Sequence, residues 1–442
     1  MALYMLCVFF ALIAAFFADE SKEVCTAEDL ATTEGIITED TTEAAVTTDA
    51  IVSTNTTGDT VSREGIFQDT EKLVLALNHF AFDVFKQLAG KEGENVFLSP
   101  LSLSSLFGML HYGSRGQTEQ ELWSMLGYDK ENLTGIEIHS TFKDLLEEIQ
   151  PNPPDYKLDI ANALLIDKKL GLLTEYQTKA QELYGGSVQE VDFSEEGSEI
   201  AEEINHWAKN KTSGKILRIV RDFQPDTQIA LVSAAHFEGK WLNKFKLNST
   251  DKQIFYDKGY FRKAKEVPMM HMTGNFMYWS GKSYSALEVP FEGDNVTMII
   301  LMPKAIDGLA KLERKMTPEK LSRLIDIMYG ADLNIQIPKF KLLYSKDLIS
   351  LLGVENIFQP DADFSGMINN GSATINRVLH KTFLEISEKG AEADAATQVP
   401  IFKISFIEEP SFPLFKVDRP FMFVIQDYNN DMIMYMGRID TL

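Results

Sequence analysis

Residues 388–405 read EKGAEADAATQVPIFKIS. Gly390 brings the conformational freedom that a tight turn needs. With a period of two, the residues beyond it divide into two faces. Ala391, Ala393, Ala395, Thr397, Val399 and Ile401 make a face that starts small and stays mostly apolar. Glu392, Asp394, Ala396, Gln398, Pro400 and Phe402 make the other, which is mainly polar or charged. Such a strand buries one face and wets the other. Its composition is unusual for a permanent strand, since four of the six residues from Ala391 to Ala396 are alanine, a residue depleted in sheets. Composition alone equally fits an alanine-rich helix or a linker.

The flanks separate these readings. Upstream, Val378 to Ile386 reads VLHKTFLEI and alternates like a strand; downstream come FPLFKVDRPFMFVIQD and MIMYMGRID. An HKTFLEISEKG strand, a Gly-Ala hinge, DRPFMFVI and a closing MGRI, in that order, resemble the serpin family. Further motifs extend the resemblance back to about residue 66: NVFLSPLSLSS, INHWAKNKTSGKI, LVSAAHFEGKW and VPMM. It implies an α+β fold with three β-sheets, about eight or nine helices and an exposed reactive-centre loop.

The resemblance also assigns sites. Ser99, Pro100 and Ser102 fall in the shutter, under the point where the main sheet opens. Trp241 matches the breach, and His380 matches the shutter histidine. Ser233 stands where the family usually has asparagine, and His236 where an aromatic is common. Serine is the shorter partner for His380, so the gating network is expected to be weaker or water-bridged. The hinge comprises Glu388, Gly390, Ala391, Glu392, Ala393, Ala395, Ala396 and Thr397. The reactive bond falls at Lys403-Ile404 or Ile404-Ser405, with Phe402 and Phe406 as alternatives.

Met1 to Ala18 is an uncharged apolar run followed by Asp19-Glu20. Small Ala14, Ala15 and Ala18 suit a cleavage site, and an acidic flank is unlike a stop-transfer anchor. The expectation for 1–18 is a signal peptide and a secreted, extracellular protein. Residues 19–65 are rich in Thr, Glu and Asp, and are expected to be a disordered tail. The resemblance implies a serpin domain over residues 66–442. With Cys7 lost with the signal, Cys25 remains alone and forms no internal disulfide. Sequons at Asn55, Asn132, Asn210, Asn248, Asn295 and Asn370 are glycosylation candidates in a secreted chain.

The net charge of −23 argues against nucleic acid and anionic membrane surfaces as partners. No HExxH, G-x-S-x-G, P-loop or Rossmann fingerprint occurs, and two cysteines with dispersed histidines do not suggest a zinc site. The expectation is no enzyme, no cofactor and no metal. The resemblance implies a monomeric suicide-substrate inhibitor of an extracellular serine protease, trypsin-like or elastase/chymotrypsin-like. Small hinge residues meet the steric demand of insertion, and Asp394 lies on the wet face. Pro400 opposes it, because proline removes a ladder hydrogen bond. The competing reading is a non-inhibitory carrier, storage protein or chaperone. A polysaccharide-activated inhibitor is disfavoured, since GIEIHSTFKDLLEEI, where the family's basic helix would lie, is acidic.

Overall fold

The computed structural model describes residues 63–442 except 91–92, 132, 134, 136–137, 150–155, 294, 355 and 391–411. Helix α1 (Arg63–Ala89) buries Leu73, Leu77, Phe80, Val84 and Leu88, one stripe at helical spacing. It begins at Arg63, so the expected domain boundary falls in its first turn. Strand β1 (Val96–Leu98) leads through Ser99 into α2 (Pro100–Gly113). Pro100 occupies the first turn, where its missing N–H costs nothing. The Ser99 side chain caps the helix by accepting from the Ser102 amide.

In helix α3 (Gly116–Met125) a cap-like sequence pattern does not form the cap. Thr118-x-x-Glu121 is the pattern of a capping box, yet the helix starts earlier and Arg115 is its cap residue. Gly116, at φ +59°, sets the entry. Thr118 lies inside the helix, buried, and its hydroxyl accepts from the Asp363 amide instead. A long-range partner outcompeted the local cap.

The rest of the chain comprises α4 (Ile138–Ile149), β2 (Tyr156–Asp167), α5 (Thr174–Tyr184), β3 (Ser187–Val191), α6 (Phe193–Lys211), β4 (Ile229–Gly239), β5 (Asp251–Tyr256), β6 (Ala264–Ser280), β7 (Tyr284–Pro290) and β8 (Val296–Pro303). Then follow α7 (Leu309–Lys315), α8 (Pro318–Asp326), β9 (Tyr329–Pro338), β10 (Phe340–Asp347), β11 (Ile375–Ile386), β12 (Leu414–Lys416), β13 (Phe421–Asp427) and β14 (Ile433–Ile439). The described residues thus hold eight α-helices in an α+β arrangement.

The described strands form two hydrogen-bonded sheets. One has the order β10-β11-β4-β2-β3. The other has nine strands, β1-β14-β13-β8-β7-β6-β9-β12, with β5 also on β6. The resemblance implies three sheets, whereas the described strands form two, because β6 runs for 17 residues and pairs with β5, β9 and β7. The run IQIPKFKL is divided between the sheets. Strand β9 ends at Pro338, β10 begins at Phe340, and Lys339 stands at the crossing.

The five-stranded sheet has unlike faces. Leu231, Ala235 and Phe237 of β4 join the large core shared with α1 and the nine-stranded sheet. Ala230, Val232 and Ala234 of the same strand face a smaller cluster with Ile200, Ile204 and Ala208 of α6. That alternation is the period-two pattern of a strand buried on both sides.

Candidate functional site at the seam of the five-stranded sheet

Strands β4 and β11 are parallel neighbours, paired from Arg377↔Ala230 to Leu384↔Phe237. A row of polar side chains crosses this seam on the α2 face. His380 of β11 and Asn162 of β2 both pair with Ser233 of β4. The Ser99 amide donates to His380 Nε2 at 3.2 Å. Nε2 is therefore the acceptor nitrogen, and Nδ1 carries the proton toward Ser233 Oγ at 2.9 Å. Ser233 Oγ lies 2.8 Å from Ser102 Oγ, which donates to Asn162 Oδ1 at 2.9 Å. Asn162 Nδ2 closes the row by donating to the Ser102 carbonyl at 2.8 Å.

Every polar side-chain atom in this row has a hydrogen-bond partner, so a buried polar network is tolerated here. Burial lowers the His380 imidazole from 6.5 to about 3 and keeps it neutral. The Ser233–His380 contact is direct, which corrects the expectation of a water bridge. Serine reaches because parallel pairing puts the two residues side by side. Below the row, Thr382 Oγ1 donates to the Phe97 carbonyl at 2.6 Å.

A second row crosses on the opposite face. His236 of β4 pairs with Asp159 of β2 and Phe383 of β11. Its Nδ1 is 3.1 Å from Asp159 Oδ2, and its ring lies 5.9 Å from that of Phe383. Asp159 also accepts from Ser213 Oγ at 2.9 Å, just after α6. Lys215 Nζ sits over the Phe383 ring, and Lys381 Nζ donates to the Arg218 carbonyl. The segment following α6 is thus tied to β2 and β11, on both sides of β4.

At the end of the seam, the chain leaves β11 through Ser387 to Gly390. Trp241 is fully buried and holds this exit. Its indole Nε1 donates to the Ser387 carbonyl and its amide to the Lys389 carbonyl, both at 2.9 Å. Its ring stacks on Phe291 at 4.5 Å. Gly390 has φ +127°, and a Cβ there would stand 2.1 Å from the Gly239 carbonyl oxygen. Only glycine fits, for both reasons. Glu388 accepts from Lys339 Nζ at 2.8 Å and Thr250 Oγ1 at 2.9 Å. Burial works to raise the Glu388 carboxyl, but those bonds outweigh it and hold it below the usual value.

The structure therefore brings Ser99, Ser102, Ser233 and His380 into one bonded row, with Pro100 starting the helix beneath it. Trp241, Glu388 and Gly390 meet at the exit. Ala391, Glu392, Ala393, Ala395, Ala396, Thr397, Lys403, Ile404 and Ser405 lie outside the described residues, as do Asn55 and Asn132. Asn210, Asn248, Asn295 and Asn370 are all exposed. Sequence reading left Asn162 without a role; its one signal was an amide inside an apolar strand. The His236–Asp159 pair had no signal beyond the replacement of an aromatic.

Comparison with known proteins agrees with this geometry. The family model for serpin (serine protease inhibitor) matches residues 75–441. The chain belongs to the serpin family. It is 34% identical over 392 residues to Iripin-8 of Ixodes ricinus, covering 87% of this chain and 97% of that protein. It is 34% identical over 387 residues to the leukocyte elastase inhibitor of Equus caballus, covering 84% and 100%. Human thyroxine-binding globulin complexed with its ligand superposes with a TM-score of 0.76 at 26% identity, covering 84% of this chain and 99% of that one.

Proposed function

We propose that this serpin is a secreted suicide-substrate inhibitor of an extracellular serine protease. The observation that carries the reading is the parallel β4–β11 seam next to the start of the reactive loop. Strand β11 ends at Ile386, and the turn at Ser387–Gly390 follows at once. A chain that folds back there and enters the seam runs antiparallel to both neighbours. One parallel pairing is replaced by two antiparallel ones, which are slightly stronger per residue. The hinge residues Ala391, Ala393, Ala395 and Thr397 are small enough to enter.

In this mechanism the protease serine attacks the scissile carbonyl of the loop. The peptide bond breaks, the new amine leaves with the proton, and an ester joins the serine to the loop. Insertion then carries the ester-linked protease along the sheet and distorts its active site before water can hydrolyse the ester. Release of a strained native fold drives the movement. A relative named as an inhibitor of leukocyte elastase supports the reading.

The test mixes the secreted protein with trypsin-, chymotrypsin- and elastase-like proteases. A band at the summed mass that survives denaturing electrophoresis is expected, and the first residue of the released peptide locates the reactive bond. Cleavage without such a band, and without a gain in thermal stability, overturns the proposal and leaves a carrier or storage role.

A further inference from the structure

A cleft of ≈ 980 Å³ opens between the segment after β4 and the middle of β6. Among the described residues its lining includes Lys244, Lys246 and His271 and no carboxylate, in a chain with a net charge of −23. Lys244 and Lys246 are exposed on either side of the buried Phe245. Phe245 packs its ring against Trp241 at 6.3 Å, and its amide donates to the Glu388 carbonyl at 2.9 Å. The two lysines are therefore mounted on the support that holds the loop exit.

Their charges are only partly answered. Lys244 reaches Glu292 at a loose 3.9 Å. Lys246 has no ion-pair partner among the described residues. On the opposite wall His271 Nε2 is 2.8 Å from Asp251 Oδ1. Asp251 and Glu292 near the rim each face a base, and the exposed Asp332 also borders it, accepting from Asn275 Nδ2 of the lining at 3.0 Å.

The cleft lies between the two ends of the reactive loop. Ser249, on its lining, precedes Thr250, which bonds Glu388 at the exit. Phe412, also on the lining, is the first described residue after the loop. The next residue, Pro413, accepts from the Asn334 amide at 2.9 Å. Described residues from both ends of the loop therefore border the cleft.

We propose that the cleft is an exosite for the target protease and receives an acidic surface loop beside that enzyme's active site. The inference rests on the reading of the loop as a protease substrate. Charge at an interface rim acts mainly on the association rate and is weakened by salt.

The test compares anionic and cationic trypsin, which share a primary specificity and differ in surface charge. Loop cleavage and ester trapping are followed together as one second-order rate constant. Both inhibitors carry Asn248→Gln, so that no glycan stands next to Ser249. The parent is expected to react faster with anionic trypsin, and Lys244→Glu/Lys246→Glu to slow that reaction about tenfold. The reaction with cationic trypsin does not slow, and 500 mM salt erases the contrast. Lys244→Gln/Lys246→Gln gives a smaller effect in the same direction, and thermal unfolding identifies any variant that fails to fold. Equal slowing with both trypsins, no slowing, or no reaction with either overturns the exosite. The rate constant counts loops that are cut without trapping, so failed inhibition sinks the proposed function and leaves this result readable.

Discussion

Strand β4 has two neighbours, and the two seams are built differently. Toward β2 the pairing is antiparallel and unbroken from Tyr156↔Gly239 to Ile166↔Ile229. Toward β11 it is parallel, with an irregularity between Ile375 and Arg377. Polar side chains cross both seams, but at the β11 seam they do so through His380, Ser233 and the aromatic contact of His236 with Phe383. One seam resembles a permanent joint. The other is a weaker pairing supplemented by side-chain bonds, where opening exposes groups that an incoming backbone can satisfy in turn.

The largest effect that separates the seams is a covalent lock. A cysteine pair at Val378 and Leu231, which are register partners, joins β11 to β4. The expected outcome is complete loss of the denaturation-resistant protease complex, restored by reductant. A pair at Leu231 and Leu164, partners across the other seam, is expected to leave trapping intact. Loss in both, or in neither, breaks the comparison.

Gly390→Ala attacks the end of the weak seam. The methyl group collides with the Gly239 carbonyl, and an L residue at this φ is strained. A loss of about 3 kcal/mol is expected in urea unfolding. An unchanged midpoint would show that the exit relaxes around a side chain.

Ser233→Ala removes the centre of the polar row. It leaves the His380 Nδ1–H without its acceptor and one bond of Ser102 unmade. The native state is expected to lose about 1–3 kcal/mol. Ser233→Asn tests whether a longer side chain spans the same gap, and a full restoration of stability is not expected because Asn162 already fills part of the row.

Near neutral pH the smallest effect is that of the His380 titration, which grows on acidification. Burial puts the folded-state His380 near 3, below the 6.5 of an exposed imidazole. Only the unfolded chain takes up that proton as the pH falls through 6.5, so stability present above 6.5 is lost progressively on acidification toward 3. The slope due to one such group is about 1.4 kcal/mol per pH unit. His380→Gln, which retains amide hydrogen bonding, is expected to flatten the unfolding free energy by about that amount per unit between pH 6 and 4. An unaltered slope would place the titration elsewhere, with His111 the first alternative, since burial and then Arg115 lower it to about 4.

Much of the fold was legible because its signals are local. Alternation marked β11, and ordered motifs marked the stretches that form β1, α2, β4 and β6. Gly390 was recognisable as a turn residue, though not as a site where a carbonyl stands 2.1 Å from any Cβ. Thr118 misled because its pattern is that of a cap, while the deciding partner, Asp363, is far away in sequence. Asn162 was visible as an oddity and unreadable as a role, because its partner Ser102 belongs to another element. Ser233 was read as too short for His380, since chain position says nothing about how close two strands lie.

The sequence by itself determined the family, the order of the strands and helices, the small-residue hinge and the residues that meet at the seam and the exit. Those follow from side-chain period, turn chemistry and ordered motifs, all carried by neighbours along the chain. Only the tertiary structure decided that Ser233 bonds His380 directly, that Asn162 closes the row, that β6 fuses two sheets into one, and that two lysines open onto a cleft at the foot of the loop. Each of these depends on the distance between segments remote in sequence, and packing and register set that distance.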